Sequence, residues 1–233
     1  MKFNNFTQYI NTYRNELKEH DLTEKTRHLL LDEVKANSNL IKNIQVVDDP
    51  YFEVAELVEA NGLLTVQAIQ LNRNNEGSRI IIQGAEHDFK EIDGKSIFTT
   101  MLEDKVRDIL ESKIIKDFKA KGEEVTVAEN ATIFDKILAI KEKFGNKEFA
   151  IAVGLKDYIE ITQKTTVFPI KVLYVPSLTN EVFGFTKQGY YLNAVFGSVD
   201  FHKDIMTGVN TLGMSILTLD SYARENSIYK ITE

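Results

Sequence analysis

The stretch that most constrains this chain is EIDGKSIFTTMLEDKVRDILESKIIKDFKAKGEE, residues 91–124. Ile97, Met101, Leu102, Val106, Ile109, Leu110, Ile114 and Phe118 recur at helical spacing, with charged residues on the other face. Asp93 or Ser96 can cap the start, and Gly122 lies just past a lysine-rich end. Roughly 25 residues at 1.5 Å each predict one helix about 38 Å long. It is the longest element the sequence predicts.

Ahead of it lie LLTVQAIQL (Leu63–Leu71) and RIIIQGAEHDF (Arg79–Phe89), joined by the wholly polar NRNNEGS of residues 72–78. Two β-leaning runs around an Asn/Gly-rich tip predict a hairpin. Arms of about nine residues at roughly 3.4 Å apiece would reach about 30 Å. A two-stranded ribbon of that length is marginal unless something covers it. Both arms are apolar on each face, with Leu64 and Val66 against Ile69 and Leu71, and Ile80 and Ile82 against Ile81. A ribbon solvated on one side should alternate cleanly. Two-sided apolarity instead predicts a ribbon held between its own subunit and a neighbour.

Residues 1–45 read as helical and amphipathic, either a packed helical pair or an arm that docks on something else, with Phe6, Tyr9, Ile10, Tyr13 and Leu17 on one stripe and Leu22, Leu29, Leu30, Val34 and Leu40 on the next. The run VVDDP at Val46–Pro50 ends it, and YFEVAELVEANG is a short helix or strand closed by Asn61-Gly62. After the long helix come a shorter one in ATIFDKILAIKEKFG, the buried-strand run FAIAVGL (Phe149–Leu155), a helix or short turn in DYIEITQ, and strands from Thr165 onward. The fold class expected is α+β.

With 233 residues, 43% of them hydrophobic, the chain can bury a sizeable core. It has no cysteine, which excludes disulfides, zinc–thiolate sites and cysteine nucleophiles. A net charge of −7, from 35 acidic against 28 basic residues, argues against a nucleic-acid-binding domain. No signal-peptide core and no run near the roughly 20 apolar residues of a membrane span is present, so a soluble chain made in a cytoplasm is expected.

Motifs that carry chemistry are few. GVNTLGMS (Gly208–Ser215) spaces its glycines like a phosphate loop, but Met214 stands where the lysine is required and the segment runs into strand-like SILTL. Glu86, His87 and Asp88 could suggest a metal or an acid–base pair, yet on a strand His87 would point away from both acids. His202 is isolated, as are His20 and His28. In the pair Tyr190-Tyr191, strand spacing predicts one buried and one exposed ring. No catalytic, metal or cofactor site is expected, and no enzyme is legible.

The order of parts, from helical arm through long hairpin, very long helix, shorter helix and apolar strand to a β-rich final third, resembles the major capsid protein of tailed bacteriophages, the Hong Kong 97-type shell fold shared with encapsulins. The resemblance implies an N-terminal helical arm (1–49), an extended hairpin loop region (50–92), a peripheral domain with its spine helix (93–130 and 199–233) and a compact axial domain (131–198). Thr132–Ile161 is similar to the family's helix, strand and helix at the entry to the axial domain, and Phe168–Val195 to the strand pair beyond it. The function implied is a self-assembling structural protein of an icosahedral head that encloses double-stranded DNA without sequence-specific binding. Its partners would be itself, in hexamers and pentamers, with separate scaffolding and portal proteins and no membrane, in a virion assembled in the host cytoplasm. Cross-linking of the kind found in some relatives would need a lysine and an asparagine meeting across subunits, and Lys90 and Lys95 flank the hairpin.

Leu64, Val66, Ile69, Asn74, Asn75, Ile80 and Ile82 are the expected interface residues. Aspartate at Ile80 and Ile82 is expected to stop assembly while leaving the subunit folded. The competing readings are an encapsulin-like compartment, a head-completion or tail-tube ring, and an oligomeric enzyme built on Glu86, His87 and His202.

Overall fold

The computed structural model describes residues 4–13, 20–21, 24–49, 52–60, 63–70, 78–164 and 169–232. The chain divides into two compact units. The first comprises Met1–Asn37, Val47–Leu110 and Asn193–Asp220, and the second Ser38–Val46, Glu111–Leu192 and Ser221–Glu233. The fold is α+β.

The chain opens with α1 (Phe6–Tyr13), a two-residue strand β1 (His20–Asp21), α2 (Glu24–Ala36), the short α3 (Asn39–Lys42) and β2 (Gln45–Val47). Strands β3 (Glu53–Ala60), β4 (Leu63–Gln70) and β5 (Ser78–Gly84) follow, then a 3-10 turn at Glu86–Phe89. The long helix α4 spans Ile97–Lys121. Ser96 caps it, its Oγ accepting from the Thr99 amide at 3.3 Å, and the Gly122 amide closes it on the Phe118 carbonyl at 2.9 Å. Phe98, Leu102, Val106, Leu110, Ile114 and Phe118 are buried, one every four residues. Four residues advance a helix about 40° beyond a full turn, so this stripe drifts by about 200° along its length. No single face of α4 is therefore apolar throughout. Two residues expected in the stripe, Ile97 and Met101, are exposed.

Beyond α4 come β6 (Glu123–Glu124), α5 (Ile133–Phe144), β7 (Ala150–Val153), α6 (Leu155–Lys164), β8 (Lys171–Tyr174) and β9 (Val182–Phe185). The two longest strands, β10 (Tyr190–Lys203) and β11 (Asn210–Ala223), precede the closing β12 (Ile228–Ile231).

In the first unit, β1, β10, β11 and β5 lie side by side in that order. Strand β5 runs antiparallel to β11, with Ile80 opposite Met214 and Ile82 opposite Leu212. All four are buried, whereas Ile81 between them is 58% exposed. This corrects the expected hairpin. Leu63–Gln70 does not pair with the run at Arg79; it pairs with Glu53–Ala60, from Ala60 opposite Leu63 to Glu53 opposite Gln70. The reason is loop length. Only Asn61-Gly62 separates β3 from β4, the dipeptide most favoured in two-residue hairpin loops, whereas seven residues separate β4 from β5. The apolar sides of β5 also have separate explanations, since Ile80 and Ile82 face the core and only Ile81 faces out.

Helix α1 buries Phe6, Tyr9 and Ile10. It is tied to the start of α4 by a 2.6 Å hydrogen bond between the hydroxyls of Thr7 and Thr99, and by Asn5 Nδ2 donating to the Gly94 carbonyl at 3.0 Å. Phe89 stacks on Phe98 at 3.9 Å between ring centres and meets Phe201 edge-on at 5.1 Å.

In the second unit the sheet order is β6-β12-β9-β7-β8. Strand β7 is parallel to β8, with α6 between them in sequence, and antiparallel to β9. Helix α5 begins with a reciprocal cap: Thr132 Oγ1 accepts from the Asp135 amide, and Asp135 Oδ2 accepts from the Thr132 amide. Its Ile133, Ile137, Ile140 and Phe144 join Ile151, Val153, Ile161, Val182, Tyr229 and Ile231 in one core. Strand β12 pairs with β9 and β6, which draws the end of the chain into this unit. One boundary between the units falls inside α4, between Leu110 and Glu111.

Gly184 on β9 is where α5 comes closest. A methyl group built there would lie 2.9 Å from Phe144 Cε2 and nearer still to Ile140 Cγ2. Gly184→Ala should lower stability by about 1–3 kcal/mol through overpacking, read as a fall in the urea midpoint with the slope unchanged.

Candidate functional site

The β3–β4 ribbon forms a sheet of its own. Its strands pair with each other and with no other described strand. Eight residues per arm at roughly 3.4 Å give a ribbon about 27 Å long. Two strands alone are marginal in water. Of the expected interface residues, Leu64, Val66 and Ile69 belong to β4, where Ile69 is half-buried beside an exposed Ala68. Asn74 and Asn75 lie outside the described residues. Ile80 and Ile82 are placed differently from the expectation: both are buried in the chain's own sheet, at 5% and 3% exposure. They are core residues. Aspartate there would put a charge in the core, so the expectation of a folded but non-assembling subunit is corrected as well.

An exposed apolar feature is the turn between β10 and β11. Asp204 Oδ1 accepts from the amides of Met206 and Thr207, and the Gly208 amide donates back to the Asp204 carbonyl at 2.9 Å, with Gly208 at φ +70°. This closed turn presents Ile205 and Met206 at 89% and 97% exposure. Composition gave no signal for it, because the glycine pattern drew attention to phosphate binding. Gly208 is a turn residue and Gly213 lies within β11.

The remaining motifs resolve locally. Glu86–Phe89 forms a 3-10 turn, not the strand expected, and Asp88 Oδ2 accepts from the Ala85 amide at 2.8 Å. His87 is exposed, with Nε2 3.1 Å from Asp88 Oδ1, and His202 is exposed. No group of three or more His, Asp or Glu side chains among the described residues is placed to hold a metal ion. No helix among them is long and apolar enough to cross a membrane.

Among the buried acids, Asp117 and Glu103 have contrasting surroundings. In the second unit, Asp117 accepts from Tyr190 Oη at 2.7 Å, Ser221 Oγ at 2.5 Å and Lys113 Nζ at 3.0 Å. Burial pushes its carboxyl up, but the three hydrogen bonds and the nearby Lys121 charge outweigh that and hold it below the usual range. Tyr190 is fully buried and Tyr191 half-buried. In the first unit, Glu103 on α4 is only 3% exposed and receives Lys95 Nζ at 2.5 Å. Glu33 on α2 accepts from the Phe6 amide at 3.2 Å and lies 3.8 Å from the same ammonium. Glu33 Oε2 and Glu103 Oε1 are both buried without a donor. Two carboxylates then share one lysine, and a proton held between them satisfies both oxygens. Burial and the hydrogen bond with Glu33 raise Glu103 to about 7, against the opposing pull of Lys95.

No protein-family model and no curated protein matches the sequence. Solved structures do match it in fold. The virus-like particle of Pyrococcus furiosus is similar over 87% of this chain and 96% of that one, with a TM-score of 0.60 at 14% identity. A Mycobacterium phage Che8 chain is similar over 79% and 85%, at TM-score 0.54 and 10% identity. The holo-SrpI encapsulin complex of Synechococcus elongatus PCC 7942 is similar over 82% and 85%, at TM-score 0.51 and 9% identity. The chain has the Hong Kong 97-type shell fold.

Two tests follow from this geometry. Glu103 carries a proton in the folded state that it loses in the unfolded state between about pH 4.5 and 7. Its contribution is complete below that window and is lost as pH rises through it. Urea midpoints across this range should fall with rising pH, and Glu103→Gln, neutral throughout, should flatten that slope. The neighbouring isoleucines separate core from surface: Ile82→Asp should unfold the first unit, whereas Ile81→Asp should leave thermal unfolding within about 0.5 kcal/mol of the parent, as for an ordinary surface change.

Proposed function

We propose that this chain is the self-assembling structural subunit of a closed protein shell, and that the shell is the icosahedral head of a tailed bacteriophage. The observation that carries this reading is the β3–β4 ribbon, a two-stranded element with no third strand of its own among the described residues. Such a ribbon is stabilised when the next subunit covers it, and in a closed shell many modest contacts of this kind act together. Leu64, Val66 and Ile69 would lie at that contact, with Asn74 and Asn75 just beyond β4. Ile81, Ile205 and Met206 add exposed apolar surface of the kind that marks contacts between proteins.

The fold supports a shell, since the matching structures include a virus-like particle, a phage chain and an encapsulin complex. On this reading the chain's partners are its own copies in hexamers and pentamers, with separate scaffolding and portal proteins, and assembly takes place in the host cytoplasm. Double-stranded DNA is confined without being gripped, which suits a net charge of −7. Structural service, not catalysis, is the role proposed.

A second reading has a specific observation behind it. The likeness to the encapsulin complex favours an encapsulin-like compartment. Negative-stain electron microscopy of the expressed chain, with size-exclusion chromatography, tests the shared claim. Closed polyhedral particles, or isolated hexamers and pentamers, are expected. A monodisperse monomer, or small open rings under every condition including added scaffold, would overturn it. Nuclease-protected DNA in particles from infected cells favours the head; a co-purifying enzyme favours the compartment.

A further inference from the structure

The register of the second unit's sheet gathers cations that lie far apart in sequence. Ala150, at the start of β7, is paired on one side with Lys171 of β8 and on the other with Phe185 of β9. Lys147 stands three residues before Ala150, and Lys187 two residues after Phe185. All three lysines therefore come to the same end of three adjacent strands. Arg224 joins them because its amide donates to the Gly189 carbonyl at 2.8 Å, in the turn that also holds Lys187. Its guanidinium is held over the Tyr191 ring at 5.6 Å and donates to the Tyr191 hydroxyl at 3.3 Å.

These four cations line a cleft of about 690 Å³, with Asn43, Thr186 and Gln188 as neutral polar groups and Glu148 as the one acid. The side chains of Lys147, Lys171 and Lys187 are exposed, and their ammonium groups make no ion pair or hydrogen bond with any described residue. A local surplus of three positive charges on a chain of net charge −7 is a focused field, not an average surface.

We propose that this cleft is a docking site for an acidic surface of a second copy of this chain. The partner's identity rests on the shell reading, which brings copies together at high local concentration. Charge complementarity supports it: with 35 acidic against 28 basic residues and a basic cleft set apart, the rest of each copy's surface is more acidic still. Association of like-charged subunits needs such a place, where repulsion is replaced by attraction and the register of contact is set. Nucleic acid fits less well, because phosphate backbones are gripped by extended runs of cations and the lone arginine here is engaged with Tyr191.

The test compares two triple variants of the full chain with the same change in formal charge. One is Lys147→Glu, Lys171→Glu and Lys187→Glu. The other is Lys141→Glu, Lys143→Glu and Lys156→Glu, three exposed lysines outside the cleft lining. Self-association is read by sedimentation velocity, and folding by thermal melting. The cleft variant should lose about tenfold in association constant while the control stays near the parent. Equal association in the two, or an equal loss in both, overturns the proposal. If the glutamate cleft variant fails to fold, the corresponding glutamine triple is read in the same way. Small open oligomers from the parent would defeat the shell reading alone, since the cleft comparison can be read from them. A parent that stays monomeric at every concentration overturns both. A fluorescein-labelled oligothymidylate that binds the parent but not the cleft variant, with self-association unchanged, would reassign the cleft to nucleic acid.

Discussion

The antiparallel pairing of β5 with β11 is the contact on which the first unit depends. Seven consecutive residue pairs, from Asn210 opposite Gly84 to Ile216 opposite Ser78, fix β5 at the edge of a sheet whose other members come from the chain's beginning and end. Once β5 is committed there, Ile80 and Ile82 must face the core and Ile81 must face away, because side chains alternate along a strand. The same commitment removes β5 from the ribbon. Among the described strands, β3 and β4 are left with only each other. The separate ribbon is thus a by-product of where one strand found its hydrogen bonds.

Asp117 and Glu103 show how neighbours, more than depth, decide the charge of a carboxyl group. Asp117 and Glu103 are both nearly removed from solvent. Asp117 is met by a phenol, a hydroxyl and an ammonium, all of them donors, and stays ionised. Glu103 is met by one ammonium that it shares with a second carboxylate, and retains its proton to near neutrality. The consequence is local. Asp117's contribution to stability is secure above the acid range, whereas the Glu33–Glu103 pair joins α2 to α4 through a single exchangeable proton.

Much of the architecture was legible in the sequence because it is written in local periodicity. The extent of α4, the start of α5 at Thr132 and the buried run Ala150–Val153 are set by side chains within a turn or two of each other. What was misread depends on contacts between distant residues. RIIIQG carries the same β-forming residues whether it pairs with Leu63–Gln70 or with Asn210–Ile216, so composition alone does not choose its partner. The deciding signal is the two-residue spacing between Ala60 and Leu63, which pair with each other. The exposed pair Ile205 and Met206 was hidden for a related reason, since a turn is inferred from its glycine and acid, not from the apolar residues it holds out. The converging lysines at 147, 171 and 187 are invisible until the strand order is known.

The drifting stripe of α4 has a consequence for how this chain can change over generations. Every residue added to or removed from the middle of the helix turns all later positions by about 100° and moves them by 1.5 Å. Ile114 and Phe118 would be carried off their buried sector by a single-codon deletion at, for example, exposed Lys105. Loops outside the helices and strands absorb such changes far more easily. Related chains should therefore differ freely in sequence along α4 yet agree closely in its number of residues, with gaps falling in the connections on either side.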